Sequence, residues 1–123
     1  MSSENETLAM RVLLVTGLQI SALQSRILHL QTEYTHGTQL LADAREARTN
    51  FEMGYADEED GSFFAGDLSD SEAEEYRSLS ASVVEHLRML HTIMDESTAV
   101  VAEIDSLSSR AIAAAHATDV EAE

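Results

Sequence analysis

Two stretches of this chain repeat apolar residues at alternating intervals of three and four, and this repeat constrains the fold more than any other feature. With Leu13 at position a of a seven-residue repeat, nine of the twelve a and d positions from Leu13 to Phe51 are apolar. From Tyr76 to Ala114 the count is ten of twelve. Random placement at the chain's 44% apolar content would give about five in each stretch. The repeat therefore predicts two long amphipathic helices that pack through their a and d side chains.

The middle of the chain has a different composition. Residues 51–75 contain ten acidic residues and no basic one, and no stretch shows the alternation that indicates a strand. We therefore predict one all-α domain, an antiparallel coiled-coil hairpin that completes a helical bundle with partner chains. Its predicted parts are a helix at 4–51, an acidic loop at 52–69, a helix at 70–117 and an acidic tail at 118–123.

Both predicted helices begin with a capping signature. Ser3 with Glu6 before the first helix, and either Ser69 with Glu72 or Ser71 with Glu74 before the second, have the spacing of a capping box, in which each side chain bonds the other residue's backbone N–H. Ser69 and Ser71 also precede acidic residues in a pattern that acidophilic kinases accept. Capping explains these serines better than modification does.

A hairpin that turns about residues 61–62 fixes which residues face each other. Gly37 then lies opposite His86, and the missing side chain makes room for the imidazole ring. Arg48 lies opposite Tyr76, which predicts a cation–π contact.

Two helices alone bury little apolar surface, and each helix carries a second apolar line outside the a and d positions. We expect these lines to bind partner helices, in a homo- or hetero-oligomer. The predicted interface residues are Leu87, Met94 and Val101 on the second helix and Leu14, Leu18 and Leu28 on the first. The alternative is a chain that folds back further, or packs as three shorter helices, and covers these lines itself.

Phe63 and Phe64 are adjacent aromatic residues within the acidic loop. One interpretation is a short docking motif, in which the aromatic pair anchors a basic client and the acidic stretch 57–67 attracts it. The other is that both rings fold back and cap the end of the bundle beside Phe51 and Tyr55.

Patterns that would indicate catalysis or metal binding are incomplete. Glu33 and His36 have the Glu-x-x-His spacing of di-iron bundles, but the predicted a and d positions hold no carboxylate to complete a site. Aligning Gly61 with the glycine of a calcium-binding EF-hand loop puts Ala56 at the first ligand position and Asp67 at the last, so that match fails. With no arrangement of nucleophile and base either, we predict a non-enzymatic protein without metal or cofactor.

Charge and targeting signals bear on partners and location. The net charge of −16 argues against binding nucleic acid or an anionic membrane surface. Residues 10–18 imitate the apolar part of a signal peptide, but Glu4 and Glu6 precede them where positive charge belongs. No run of 18 apolar residues occurs. We expect an intracellular, cytoplasmic protein that does not span a membrane.

In outline and composition the chain resembles two families of helical hairpins. Prefoldin-type chaperone subunits are similar in length and charge, but they carry β-strands between their helices, and residues 51–69 show no strand pair. Small secreted hairpins with a Trp-x-Gly turn share the cysteine-free composition, and here Phe64-Ala65-Gly66 approaches that turn, but their C-terminal Tyr-x-x-x-Asp/Glu pattern is missing. We assign the chain to neither family. The sequence predicts a structural or adaptor subunit, with a small acidic chaperone or secreted-hairpin factor as the alternative.

Overall fold

The computed structural model describes residues 2–122, with side chains for residue 4 and residues 6–117. Helix α1 spans Ser2–Gly54, a 3₁₀ turn spans Ala65–Asp67, and helix α2 spans Asp70–Ala122. No strand occurs in the described residues. The two long helices pack against each other, which confirms the predicted all-α helical hairpin.

Both helices run further than the sequence patterns indicate. α1 continues past residue 51 to Gly54, and α2 continues past residue 117 into the predicted acidic tail, to Ala122. The sequence contains no proline and has no glycine after Gly66, so nothing in the tail interrupts a helix, and its alanines and glutamates favour one. The connecting segment covers residues 55–69, three residues fewer than the predicted loop at 52–69, because α1 extends to Gly54.

The start of α2 has the predicted capping box. The backbone N–H of Ser69 donates to Glu72 Oε1 at 2.8 Å, and the backbone N–H of Glu72 donates to Ser69 Oγ at 3.2 Å. Two of the N–H groups that lack a partner within the helix are thereby satisfied. The corresponding box predicted at Ser3 and Glu6 lies outside the described residues, because the side chain of Ser3 is not among them.

The helices divide into two compact units, which we describe separately. The turn unit, residues 33–93, contains the end of α1, the connecting segment and the beginning of α2. Its core consists of Leu41, Val83 and Leu90, which are 6–7% exposed and have Ala44 and Leu87 packed against them.

Gly37, in the turn unit, makes room for a different residue than expected. A Cβ atom added at Gly37 would lie 2.8 Å from Leu90 Cδ2, so it is the leucine methyl, not the His86 ring, that uses the space. His86 is half-buried, and its Nδ1–H donates to the carbonyl oxygen of Ser82 at 2.7 Å. The imidazole is thus satisfied within its own helix.

The terminal unit, residues 1–32 and 94–123, pairs the first part of α1 with the last part of α2. Four of its described residues are buried: Thr16, Leu30, Val100 and Leu107. Leu30 is 0% exposed. An ion pair joins the two helices at the surface of this unit, where Arg26 Nη2 lies 2.8 Å from Glu96 Oε2.

Burial along both helices follows the predicted seven-residue repeat. Every a and d position from 13 to 51 and from 76 to 114 is buried or half-buried, except Tyr34, which is 41% exposed. The remaining positions are mostly exposed. In each unit the buried positions of the described residues are therefore restricted to the a and d positions, and large apolar side chains remain outside them.

Candidate protein-interaction surfaces

The predicted interface residues of α1 are exposed. Leu14 is 66% exposed, Leu18 is 73% exposed and Leu28 is 64% exposed. All three lie in the terminal unit, within a stretch from residue 7 to residue 32 that contains two arginines and no acidic residue. In a chain with a net charge of −16, this stretch is unusually free of negative charge.

The predicted interface residues of α2 separate into two groups. Leu87 is half-buried and packs against the core of the turn unit, so part of its side chain is already in contact with residues of the same chain. Met94 is 51% exposed and Val101 is 46% exposed, and both lie in the terminal unit. The terminal unit therefore holds five of the six predicted residues.

Five exposed apolar residues of the terminal unit were missed by the sequence analysis: Leu8, Val12 and Val15, and also Met10 and Ile112. Met10 is 59% exposed and Ile112 is 70% exposed. In the seven-residue repeat they occupy positions e and b, the positions that Met94 and Leu14 also occupy. Met10 lies one helical turn before Leu14, so extending the α1 line would have identified it, whereas Ile112 does not continue the seven-residue spacing of Leu87, Met94 and Val101.

The same part of α1 meets the length and hydropathy of a membrane span. The segment Glu6–Gly54 contains an 18-residue window with a mean hydropathy of 1.3, and 6% of that window is buried. By length and composition alone, a signal sequence near an N-terminus passes the same test. Length and composition do not distinguish these cases, so the expected absence of a membrane span and the cytoplasmic location both stay predictions.

Aromatic side chains gather in the turn unit where the two helices are connected. The Phe51 ring lies 4.7 Å from the Tyr55 ring and 5.5 Å from the Tyr76 ring, measured between centroids. Phe63 completes the cluster, at 6.5 Å from Phe51 and 5.1 Å from Tyr76. Phe64 is 64% exposed. The adjacent phenylalanines thus have different roles, because Phe63 caps the helices while Phe64 faces solvent.

Arg48 and Tyr76 meet through a carboxylate instead of by the predicted cation–π contact. The Tyr76 hydroxyl donates to Glu52 Oε1 at 2.8 Å, and Arg48 Nε donates to the same oxygen at 3.2 Å. Glu52 lies one helical turn after Arg48, within easy reach of its guanidinium group. Donation to Glu52 raises the pKa of the Tyr76 hydroxyl.

Glu72 connects the start of α2 to the aromatic cluster. Its carboxylate accepts a hydrogen bond from the Ser69 backbone N–H, and its interaction with the Tyr55 hydroxyl raises the pKa of Tyr55. The Ser69 N–H bond is the largest cause of the lowered pKa of Glu72. Both serines with the kinase pattern are exposed, and the Ser69 hydroxyl accepts the Glu72 backbone N–H.

In the acidic turn after α1, aspartate carboxylates accept hydrogen bonds from backbone N–H groups of the same turn. Asp57 Oδ1 accepts the backbone N–H of Glu59 at 2.7 Å, and Asp60 Oδ1 accepts the backbone N–H of Ser62 at 2.9 Å. The Ser62 hydroxyl also donates to Asp60 and is the largest cause of the lowered pKa of that carboxyl. Gly61 has a φ of +73°, which a residue with a side chain rarely adopts. These contacts shape a tight turn.

None of the described residues forms a group of three or more His, Asp or Glu side chains placed to hold a metal ion. Glu33 and His36, the pair with di-iron spacing, are half-buried and exposed respectively.

Comparison with protein-family models, with curated proteins and with solved structures finds no match for this chain. Its surfaces therefore have to be interpreted from their own chemistry.

Proposed function

We propose that this chain is a non-enzymatic structural or adaptor subunit that acts by coiled-coil association within a multi-protein helical assembly. The observation that supports the proposal is the set of large apolar side chains left exposed on regular helices. Leu14, Leu18 and Leu28 on α1 are 64–73% exposed, and Met94 and Val101 on α2 are 46–51% exposed. A helix that is apolar on two sides needs a neighbour on each side to bury them.

The amount of exposed surface supports the same proposal. A compact monomer of 13.4 kDa is expected to expose about 6,500 Å². This chain exposes 8933 Å², which is about 2,400 Å² more than that expectation. A standard protein–protein interface needs about 800 Å² from each partner. The chain therefore has enough surplus surface for contact with more than one neighbouring helix.

The test is native purification of the tagged chain from the cells that make it, followed by measurement of the mass of the purified species. We expect the wild type in an assembly heavier than 13.4 kDa. A variant with Leu14, Leu18 and Leu28 all changed to Gln should run as the free chain. Met53→Gln is the matched control, because Met53 is 70% exposed but lies in the turn unit. A wild type that runs as the free chain would refute the proposal.

A second candidate function is a small acidic chaperone or secreted-hairpin factor that binds a basic client. One observation favours it: Phe64, which lies within the acidic stretch 57–67, is 64% exposed. An exposed ring supplies an anchor, and the surrounding carboxylates attract positive charge.

This second candidate is tested with an arginine-rich peptide that contains aromatic residues. Binding should weaken at high salt and weaken further in Phe64→Ala, since the variant removes the anchor and leaves the charge. Binding that responds to salt but not to Phe64→Ala would indicate nonspecific attraction to the acidic stretch.

A further inference from the structure

The ion pair between Arg26 and Glu96 identifies the two sides of the terminal unit. In an antiparallel helix pair, the g positions of both helices border one side of the line of contact and the e positions border the other. Arg26 and Glu96 are both at g, and their 2.8 Å contact shows that the helices pair in this way. The e positions of α1 and α2 therefore lie together on the opposite side.

This assignment places six exposed apolar residues of the terminal unit on one surface, whereas Leu8, Val12, Val15 and Leu18 lie at positions c, g, c and f, outside it. Around each helix, the b positions lie next to the e positions and therefore on the same side of the helix pair. We call this surface the apolar flank, and it consists of Met10, Leu14, Leu28, Met94, Val101 and Ile112. These six side chains are 46–70% exposed.

The two sides of the terminal unit differ in charge. The g positions include Arg26, Glu96, Glu103 and Arg110. Among the e and b positions of residues 10–31 and 94–115, Asp105 is the one charged residue. The apolar flank is therefore nearly neutral in a chain with a net charge of −16.

We infer that the apolar flank is the surface through which two copies of this chain associate, forming a four-helix bundle from their terminal units. The inference rests on the proposed function and names its partner. Two chains of charge −16 repel each other over most of their surfaces, and they repel least where carboxylates are few.

A second copy of this chain fits the apolar flank better than a basic protein that is attracted by negative charge. A site that selected a basic protein would surround its apolar residues with carboxylates, because charge at the rim steers such encounters. Among the e and b positions around the apolar flank, Asp105 is the single carboxylate. A two-fold dimer places the same surface of each copy against the other, which needs no complementary charge.

The first test measures molar mass by sedimentation equilibrium across a range of concentrations. We expect the wild type at twice 13.4 kDa. A variant with Leu14, Leu28 and Val101 changed to Gln should have a dimer dissociation constant raised at least about 100-fold. The control is Val12→Gln with Val15→Gln, at positions g and c, where the side chains are 44% and 54% exposed. Its dissociation constant should stay within about threefold of the wild type.

The second test works even if the triple variant fails to fold. Because the chain has no cysteine, Leu14→Cys and Val12→Cys each introduce a single thiol. The reaction of Cys at position 14 with a thiol reagent should slow about tenfold as protein concentration rises through the dimerisation range. The thiol at position 12 should react at a constant rate.

Three outcomes would overturn the inference. One is a monomer at every concentration. Another is equal loss of the dimer in the Val12 and Val15 control. The third is a monomer that floats with phosphatidylcholine vesicles through Leu14 and Leu28, which would make the surface a membrane contact. A chain that is monomeric alone but enters an assembly of other proteins rejects the second copy and leaves the proposed function standing.

Discussion

Gly37 offers the sharpest test of how the helices pack in the turn unit. Its backbone lies so close to α2 that an added Cβ would be 2.8 Å from Leu90 Cδ2 and 3.6 Å from Leu90 Cγ. Leu90 is 6% exposed and belongs to the Leu41–Val83 core, so it has little freedom to move away. The substitution Gly37→Ala therefore adds one methyl group to a filled space.

Two opposing effects decide the magnitude. Alanine in place of glycine within a helix is favourable by about 0.5–1 kcal/mol. Adding a methyl group to a packed core costs about 1–3 kcal/mol. We expect Gly37→Ala to lower the free energy of unfolding by a net amount of about 0–2.5 kcal/mol.

A double-mutant cycle with Leu90→Ala isolates the contact. Leu90→Ala alone should cost about 2–5 kcal/mol. In that background the obstructing methyl is gone, so Gly37→Ala should become stabilising by about 0.5–1 kcal/mol. The assay is urea unfolding of all four proteins, followed by circular dichroism at one fixed concentration. If Gly37→Ala is stabilising in both backgrounds, the close approach of the two helices at this position is refuted.

Three further predictions use the same unfolding assay. Leu30→Ala should lower the free energy of unfolding by about 2–5 kcal/mol because its side chain is fully buried, and a loss below about 1 kcal/mol would contradict that burial. Phe63→Ala should cost about 1–3 kcal/mol because its ring packs on Phe51 and Tyr76, whereas Phe64→Ala should change stability by less than about 0.5 kcal/mol; equal effects would disprove the division of roles. The lowered pKa of Glu72 means that its contribution is present above the usual glutamate pKa and is lost as pH falls through the lowered value. Glu72→Gln should therefore flatten the acid side of the stability curve, and an unchanged curve would contradict the role of the carboxylate.

The helices and their line of contact were predictable because they depend on a regular property of the sequence. Apolar side chains at a spacing of three and four lie on one face of a helix, and only one packing arrangement buries that face on both helices. The Ser69–Glu72 capping box was predictable for a similar reason, since its spacing by itself brings side chain and backbone together.

The choice of individual partners was not predictable. Gly37 accommodates Leu90 instead of His86, and Arg48 binds Glu52 instead of stacking on Tyr76. In each case the competing contacts differ by about a kcal/mol or less, below what residue spacing can resolve. The repeat gives the face on which a residue lies but not the direction of its side chain.

The loop and the candidate interface show two other limits. Phe63 and Phe64 are adjacent and chemically identical, so only the path of the backbone after Gly61 separates the capping ring from the exposed one. The six residues of the apolar flank share a side only if the predicted antiparallel pairing of the helices is correct, and the sequence alone does not show that pairing. The Arg26–Glu96 contact supplies that information.

The division into two units has a consequence for the order of folding. The turn unit joins segments that are close in the chain, and the bond between Tyr76 and Glu52 spans 24 residues. The terminal unit joins segments that are much further apart, as in the 70-residue separation of Arg26 and Glu96. Contacts between residues that are close in the sequence form first, because closing a short loop costs less conformational entropy. We therefore expect folding to start at the acidic turn, so that substitutions there should change the folding rate, whereas substitutions near the chain ends should act mainly on the unfolding rate.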